Sequence, residues 1–150
     1  MKKFYLLIIL ILFTQCDYKP IYSQNNQNFQ IKIKEFNENR TNKILATKLK
    51  NYSFKKNNLY LYELKLLTSE SKLILSKDTK GDPLLLGLKI NLKIEVYEKE
   101  IMIANKEYSE QFNYQNLSKK FELNSYENEI RSNIYNKMIS RLLVDLANLK

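Results

Sequence analysis

Residues 84–97 constrain the fold more than any other stretch of the chain. Leu84, Leu86, Leu88, Ile90, Leu92, Ile94 and Val96 are apolar and two residues apart, and Gly87, Lys89, Asn91, Lys93 and Glu95 alternate with the later ones. Successive strand side chains point to opposite faces, so this spacing predicts one long strand with a buried face and a wet face. Glu98-Lys99-Glu100 reads as a turn, and residues 101–114 as the antiparallel return, with Tyr108, Phe112 and Tyr114 facing in. A lone hairpin is marginal in water, so the buried face demands further strands or helices.

The rest of the chain supplies them. Phe29, Ile31 and Ile33 alternate with Gln30, Lys32 and Lys34, the pattern of a half-buried strand. Residues 37–42 break it and offer Asn39 or Thr41 as helix N-caps. Ile44, Leu45, Leu49 and Tyr52 then share one helical face, and the helix is predicted to end near Lys55. Residues 59–67 are rich in aliphatic and aromatic side chains and fit another strand. Residues 68–83 stay open between a strand extension and a loop, with Lys80-Gly81-Asp82-Pro83 as a turn. Residues 115–122 read as a loop. Asn124 followed by Glu127 resembles a capping box. Tyr126, Ile130, Ile134, Met138, Leu142 and Leu146 recur at every fourth residue, widened by Tyr135, Ile139, Leu143 and Leu149. Arg141 and Lys150 lie toward the negative end of this helix, which is expected to run nearly to residue 150. The fold class expected is α+β: an about four-stranded, mostly antiparallel sheet with two α-helices packed on one face.

The start of the chain is of another kind. Lys2 and Lys3 precede an unbroken apolar run of ten residues, 4–13, and Cys16, the only cysteine, follows closely. A permanent helical span needs about 20 apolar residues, so this run is too short. It reads as a secretory signal ending at a cysteine. In a bacterial lipoprotein that thiol is lipidated and the mature chain starts there. A single thiol without a partner in an oxidising compartment favours this reading. Phe13 and Gln15 stand where a usual lipobox has Leu and a small residue. An ordinary signal peptide, or an uncleaved anchor with an incidental cysteine, is the competing reading. The division expected is a signal peptide over residues 1–15, a lipidated tether over 16–28 and one α+β domain over 29–150.

The formal charge is +9. Without Lys2 and Lys3, the 25 basic residues fall to 23 against 16 acidic ones. Such an excess suits an anionic partner. However, the chain is crowded with Lys, Asn, Ile and Tyr, a composition that AT-rich coding produces by itself. Export and the lack of ligand-spaced Cys/His pairs argue against nucleic acid. There is no histidine, and Gly81 and Gly87 are the only glycines, so the commonest general base and a phosphate-cradling loop are missing. No catalytic, cofactor or metal site is expected. Strand alternation places Lys32, Lys34, Lys65, Lys89 and Lys93 on the sheet face away from the helices. They form a candidate site for an anionic ligand. A plain solvated face, with Glu63 and Glu95 diluting the charge, explains them equally well.

Cys16-Asp17-Tyr18-Lys19-Pro20-Ile21-Tyr22 resembles the Cys-Gly-Phe/Tyr-x-Pro-Leu-Tyr start of mature LptE proteins, the lipopolysaccharide-assembly lipoproteins, in their alphaproteobacterial form. Asn39-Arg40, Leu45 and Leu49-Lys50-Asn51 are similar to the family's first helix. The resemblance implies two helices on a four-stranded sheet and a lipid anchor at Cys16 in the outer membrane, facing the periplasm. It also implies a large β-barrel partner, LptD, whose lumen the domain plugs, and contact with lipopolysaccharide, whose phosphates suit lysines. Asp17 departs from the family's Gly. In enteric bacteria Asp there retains lipoproteins in the inner membrane, which leaves that membrane open as an alternative. A stand-alone envelope lipoprotein that binds an anionic ligand through the basic sheet face is the competing function.

Overall fold

The computed structural model describes residues 29–36, 40–50, 52 and 60–149. The expected signal peptide, the tether and Cys16 lie outside the described residues. Four strands and two helices follow in the order β1 (Phe29–Phe36), α1 (Arg40–Lys50), β2 (Tyr60–Lys77), β3 (Pro83–Glu98), β4 (Ile101–Gln115) and α2 (Lys120–Ala147). The strands form one sheet in the order β1-β2-β3-β4. β1 is parallel to β2, with α1 in the crossover that a parallel pair needs, and the other two pairings are antiparallel. The architecture is the α+β sheet with two helices that the sequence predicts.

The period-two pattern of β3 sets the inner face. Leu86, Leu88, Ile90, Leu92, Ile94 and Val96 are all buried. They meet Tyr62, Leu64 and Leu66 of β2 and Tyr108 and Tyr114 of β4, with Leu45 and Leu49 of α1 and Ile130, Ile134, Met138 and Leu142 of α2 above them. Each such side chain contributes about 1.5–3 kcal/mol on burial, so this layer dominates the stability. Lys48 of α1 reaches Ser132 and Asn136 of α2, at 3.3 and 2.7 Å, which joins the two helices on that one face.

Four local expectations are corrected, and one that was open is settled. First, α1 closes at Lys50, where the Tyr52 N–H donates to the Leu49 carbonyl. Residues 53–55, expected to be helical, and Asn39 lie outside the described residues, and Thr41 sits inside the helix. Second, β2 runs on to Lys77, so the first half of the open stretch is strand. Its inner positions Thr68, Glu70 and Lys72 are polar, which erased the apolar alternation. Third, the turn begins at Asp78, whose carboxylate accepts the Lys80 and Asp82 N–H groups, both at 2.9 Å. Gly81 takes the left-handed conformation there, with φ +91°, and Pro83 opens β3. Fourth, Phe112 lies on the inner face, in register with Leu88, but on the edge strand β4 it stays exposed instead of joining the core. Fifth, α2 starts at Lys120, four residues before Asn124, and no side chain caps it. Glu127 is buried against the sheet instead of closing a capping box, and Tyr126 is half-exposed with its ring edge-on to Tyr114. Arg141 pairs with Glu110, and Lys150 lies outside the described residues.

Candidate functional site

The outer sheet face carries all five lysines singled out from the sequence. The structure also brings carboxylates among them. Lys32 lies 3.0 Å from Glu63. Lys34 lies 3.6 Å from Glu63 and 3.3 Å from Glu100. Lys65 lies 2.9 Å from Glu35, and Lys93 lies 3.7 Å from Glu107. The Lys32 hydrogen bond, with the charges of Lys32 and Lys34, holds the Glu63 carboxyl below its usual range. The hydrogen bond to Glu100 raises Lys34, and that to Glu35 raises Lys65. These shifts mark ion pairs already made. Lys89 alone of the five has no ion-pair partner among the described residues. The predicted basic face is therefore a ladder of mixed charge.

A depression of about 460 Å³ crosses the middle of this face, lined by Leu67, Ser69, Asn91, Lys93, Glu107 and Ser109. It exists because small side chains occupy one rung across three strands. The Ser109 hydroxyl donates to Asn91 Oδ1 at 2.8 Å, and Asn91 Nδ2 donates to Ser69 Oγ at 3.2 Å. This rung satisfies its own polar groups and offers a ligand only neutral donors and acceptors.

On the inner face lies a polar cluster that the sequence did not reveal. Glu127 of α2 is buried and accepts from Lys72 of β2 and from the Tyr114 hydroxyl of β4, the latter at 2.7 Å. Arg131 stands 3.5 Å from Glu127 and bonds Glu70 at 2.8 Å, and the Thr41 hydroxyl of α1 reaches Glu70 at 3.3 Å. Burial alone would raise Glu127, but the bonds from Lys72 and Tyr114 and the charge of Arg131 outweigh it, and its carboxyl sits below the usual range. The one sequence signal was the i, i+4 spacing of Glu127 and Arg131. This cluster locks both helices to the sheet, and its charges are matched.

Apolar side chains stand exposed at both ends of the sheet. Ile74, Leu84, Phe112, Leu117 and Phe121 lie at the end of the β2–β3 turn, and Phe121 is 85% exposed. Leu61, Ile101, Met102 and Ile103 lie at the opposite end. Among the described residues no group of three His, Cys, Asp or Glu side chains could hold a metal ion, and no helix is long and apolar enough to cross a membrane.

The fold itself has solved counterparts. Rare lipoprotein B from Shewanella oneidensis superposes with a TM-score of 0.59 at 12% identity, over 80% of this chain and 98% of that one. Lipoprotein B from Nitrosomonas europaea gives 0.59 at 11% identity, over 84% and 90%. A minor lipoprotein from Acinetobacter baumannii gives 0.54 at 13%, over 79% and 89%. No family model and no curated protein matches at the sequence level. The chain is thus an α+β domain with the fold of these bacterial lipoproteins. At this identity, the likeness speaks for the fold alone.

Proposed function

We propose that the protein is a non-enzymatic envelope lipoprotein of LptE type. In this reading it is anchored through Cys16 in the outer membrane on the periplasmic side, and it assembles with and plugs an LptD-like β-barrel that inserts lipopolysaccharide into the outer leaflet. The observation that carries the reading is the fold. The strand-helix-three strands-helix order, with both helices on one face, is what the LptE resemblance of residues 16–22 implies, and the solved counterparts are themselves described as lipoproteins. The exposed apolar groups at the β2–β3 end of the sheet and the long edge of β4, unpaired among the described residues, also suit a domain that is completed by a larger partner.

The stand-alone binder of an anionic ligand draws less support. Its lysines are paired, apart from Lys89, and the depression beside them is lined by neutral polar groups, Leu67 and one Lys–Glu pair. The inner membrane remains the alternative site because of Asp17. Depleting the protein in its own cells tests the proposal. Newly made lipopolysaccharide is expected to stop reaching the cell surface while its synthesis continues. Unchanged surface lipopolysaccharide after full depletion overturns the reading.

A further inference from the structure

We propose that the β3–β4 hairpin dips into the membrane surface beside the lipid anchor and gives the chain a second membrane contact. The inference rests on the anchor reading at Cys16 and goes beyond the plug reading. Three consecutive aliphatic residues stand exposed at this hairpin: Ile101 at 69%, Met102 at 55% and Ile103 at 38%. Their exposure follows from the backbone. Lys99 and Glu100 turn the chain with φ 48° and 70°, and the register then shifts, with Val96 opposite Ala104 but Tyr97 opposite Met102. Ile103 is the extra residue of that bulge, so the usual in–out alternation fails and neighbours face solvent together. Soluble surfaces rarely carry such a run without a use for it.

The hairpin lies at the end of the sheet where the tether arrives. Phe29, the first residue of β1, pairs with Tyr60, and Glu63 of the same strand pairs with Tyr97 beside the hairpin. Strands are about 4.8 Å apart, so the hairpin stands only about 10–15 Å across the sheet from Phe29. Cys16 precedes Phe29 by 13 residues. Thirteen residues reach at most about 45 Å even when fully extended, so Phe29 and the hairpin beside it stay within that reach of the leaflet, while the β2–β3 end can lie beyond it. The apex itself is Lys99-Glu100, so Ile101, Met102 and Ile103 just behind it meet the boundary of headgroups and acyl chains, about 5–10 Å deep, with the apex charges left among the headgroups. Lys34 and Lys99 are balanced by Glu98 and Glu100, so the contact is apolar and the occupant is a lipid surface without need of anionic headgroups.

The test uses the full chain purified from membranes and placed in vesicles of phosphatidylcholine and phosphatidylethanolamine that carry a nitroxide-labelled lipid. An environment-sensitive fluorophore is attached at Met102→Cys and, in a second chain, at Lys80→Cys on the opposite turn. With Cys16 acylated, each new thiol is the only one. The fluorophore at position 102 is expected to shift to the blue and lose about half its emission to the quencher, while that at position 80 stays in water. Matching thermal melts show that both labelled chains are folded, and Ile101→Cys provides a second attachment point. Water-like emission at 101 and 102 overturns the proposal, and so does shielding that appears only when a barrel protein is added. Intact mass reports the anchor separately. If no acyl chains are found, the anchor reading fails, and the label at 102 in a Cys16→Ala chain mixed with the same vesicles decides the hairpin contact by the same quenching.

Discussion

Glu127 shows what a single residue does in this fold. The sequence offered it as the third position of a capping box, since Asn124 precedes it by three. The structure spends it on Lys72, Tyr114 and Arg131 under the helix. Local spacing could not reveal this, because Lys72 and Tyr114 come from strands 55 and 13 residues away. Glu127→Ala leaves Lys72, Tyr114 and Arg131 without their shared acceptor, and is expected to cost about 2–3 kcal/mol, read by urea unfolding. Its pH signature is also fixed. The folded carboxyls of Glu127, and of Glu110 beside Lys137 and Arg141, lie below their unfolded values, so at mildly acid pH the unfolded chain binds more protons. Stability from these groups is present above the unfolded carboxyl range near pH 4.5 and drains away as pH falls through the lower folded values. Glu127→Gln should therefore flatten the fall of Tm between about pH 5 and pH 3. An acid limb as steep as that of the parent would contradict the assignment.

Among the elements, β3 was fully legible and β2 only by half. β3 alternates because one face is core from Leu86 to Val96; Leu84, expected on that face, lies beyond the helix layer's cover and is exposed. β2 alternates only to Thr68. Beyond it the inner face meets the ends of the helices through Glu70 and Lys72, and the outer face carries Ser69 and Ser71, so no apolar period survives. The same reasoning explains α2. Its buried stripe from Ile130 to Leu146 was readable, but no side chain caps its start and Phe121 in its first turn is exposed, so no local signal marked where it begins. At the β3–β4 hairpin, two non-glycine residues occupy left-handed backbone, where Asn-Gly is the favoured pair. Replacing Lys99→Asn with Glu100→Gly is expected to stabilise the fold by about 1 kcal/mol, seen as a higher urea midpoint with an unchanged slope. A lower midpoint would show that Lys99 and Glu100 contribute through their side chains. In the core of the same element pair, Leu88→Ala removes a fully buried side chain and is expected to cost about 2–5 kcal/mol.

For the molecule as a whole, the sheet with two helices followed from hydrophobic period alone, whereas the candidate site did not. Strand parity put five lysines on one face correctly, but parity says nothing of which glutamates lie across the strands, and those depend on register. With four of the five lysines paired and only Lys89 left over, the face has lost most of the excess charge that would draw an anion. Lys89→Glu combined with Lys93→Glu is expected to leave delivery of lipopolysaccharide to the cell surface unchanged in a complementation assay. Its loss would favour the anionic-ligand reading. What the described residues leave unmet, apart from the β3–β4 hairpin, are apolar side chains at the β2–β3 end of the sheet and the outer edge of β4. On the proposed reading, these are the groups that a surrounding barrel would cover. The most direct measurement is to tag the C-terminus, extract membranes in mild detergent and identify what co-purifies. The account predicts a large β-barrel protein in near one-to-one amount. Recovery of the lipoprotein alone, under conditions in which other barrel complexes survive, would contradict it.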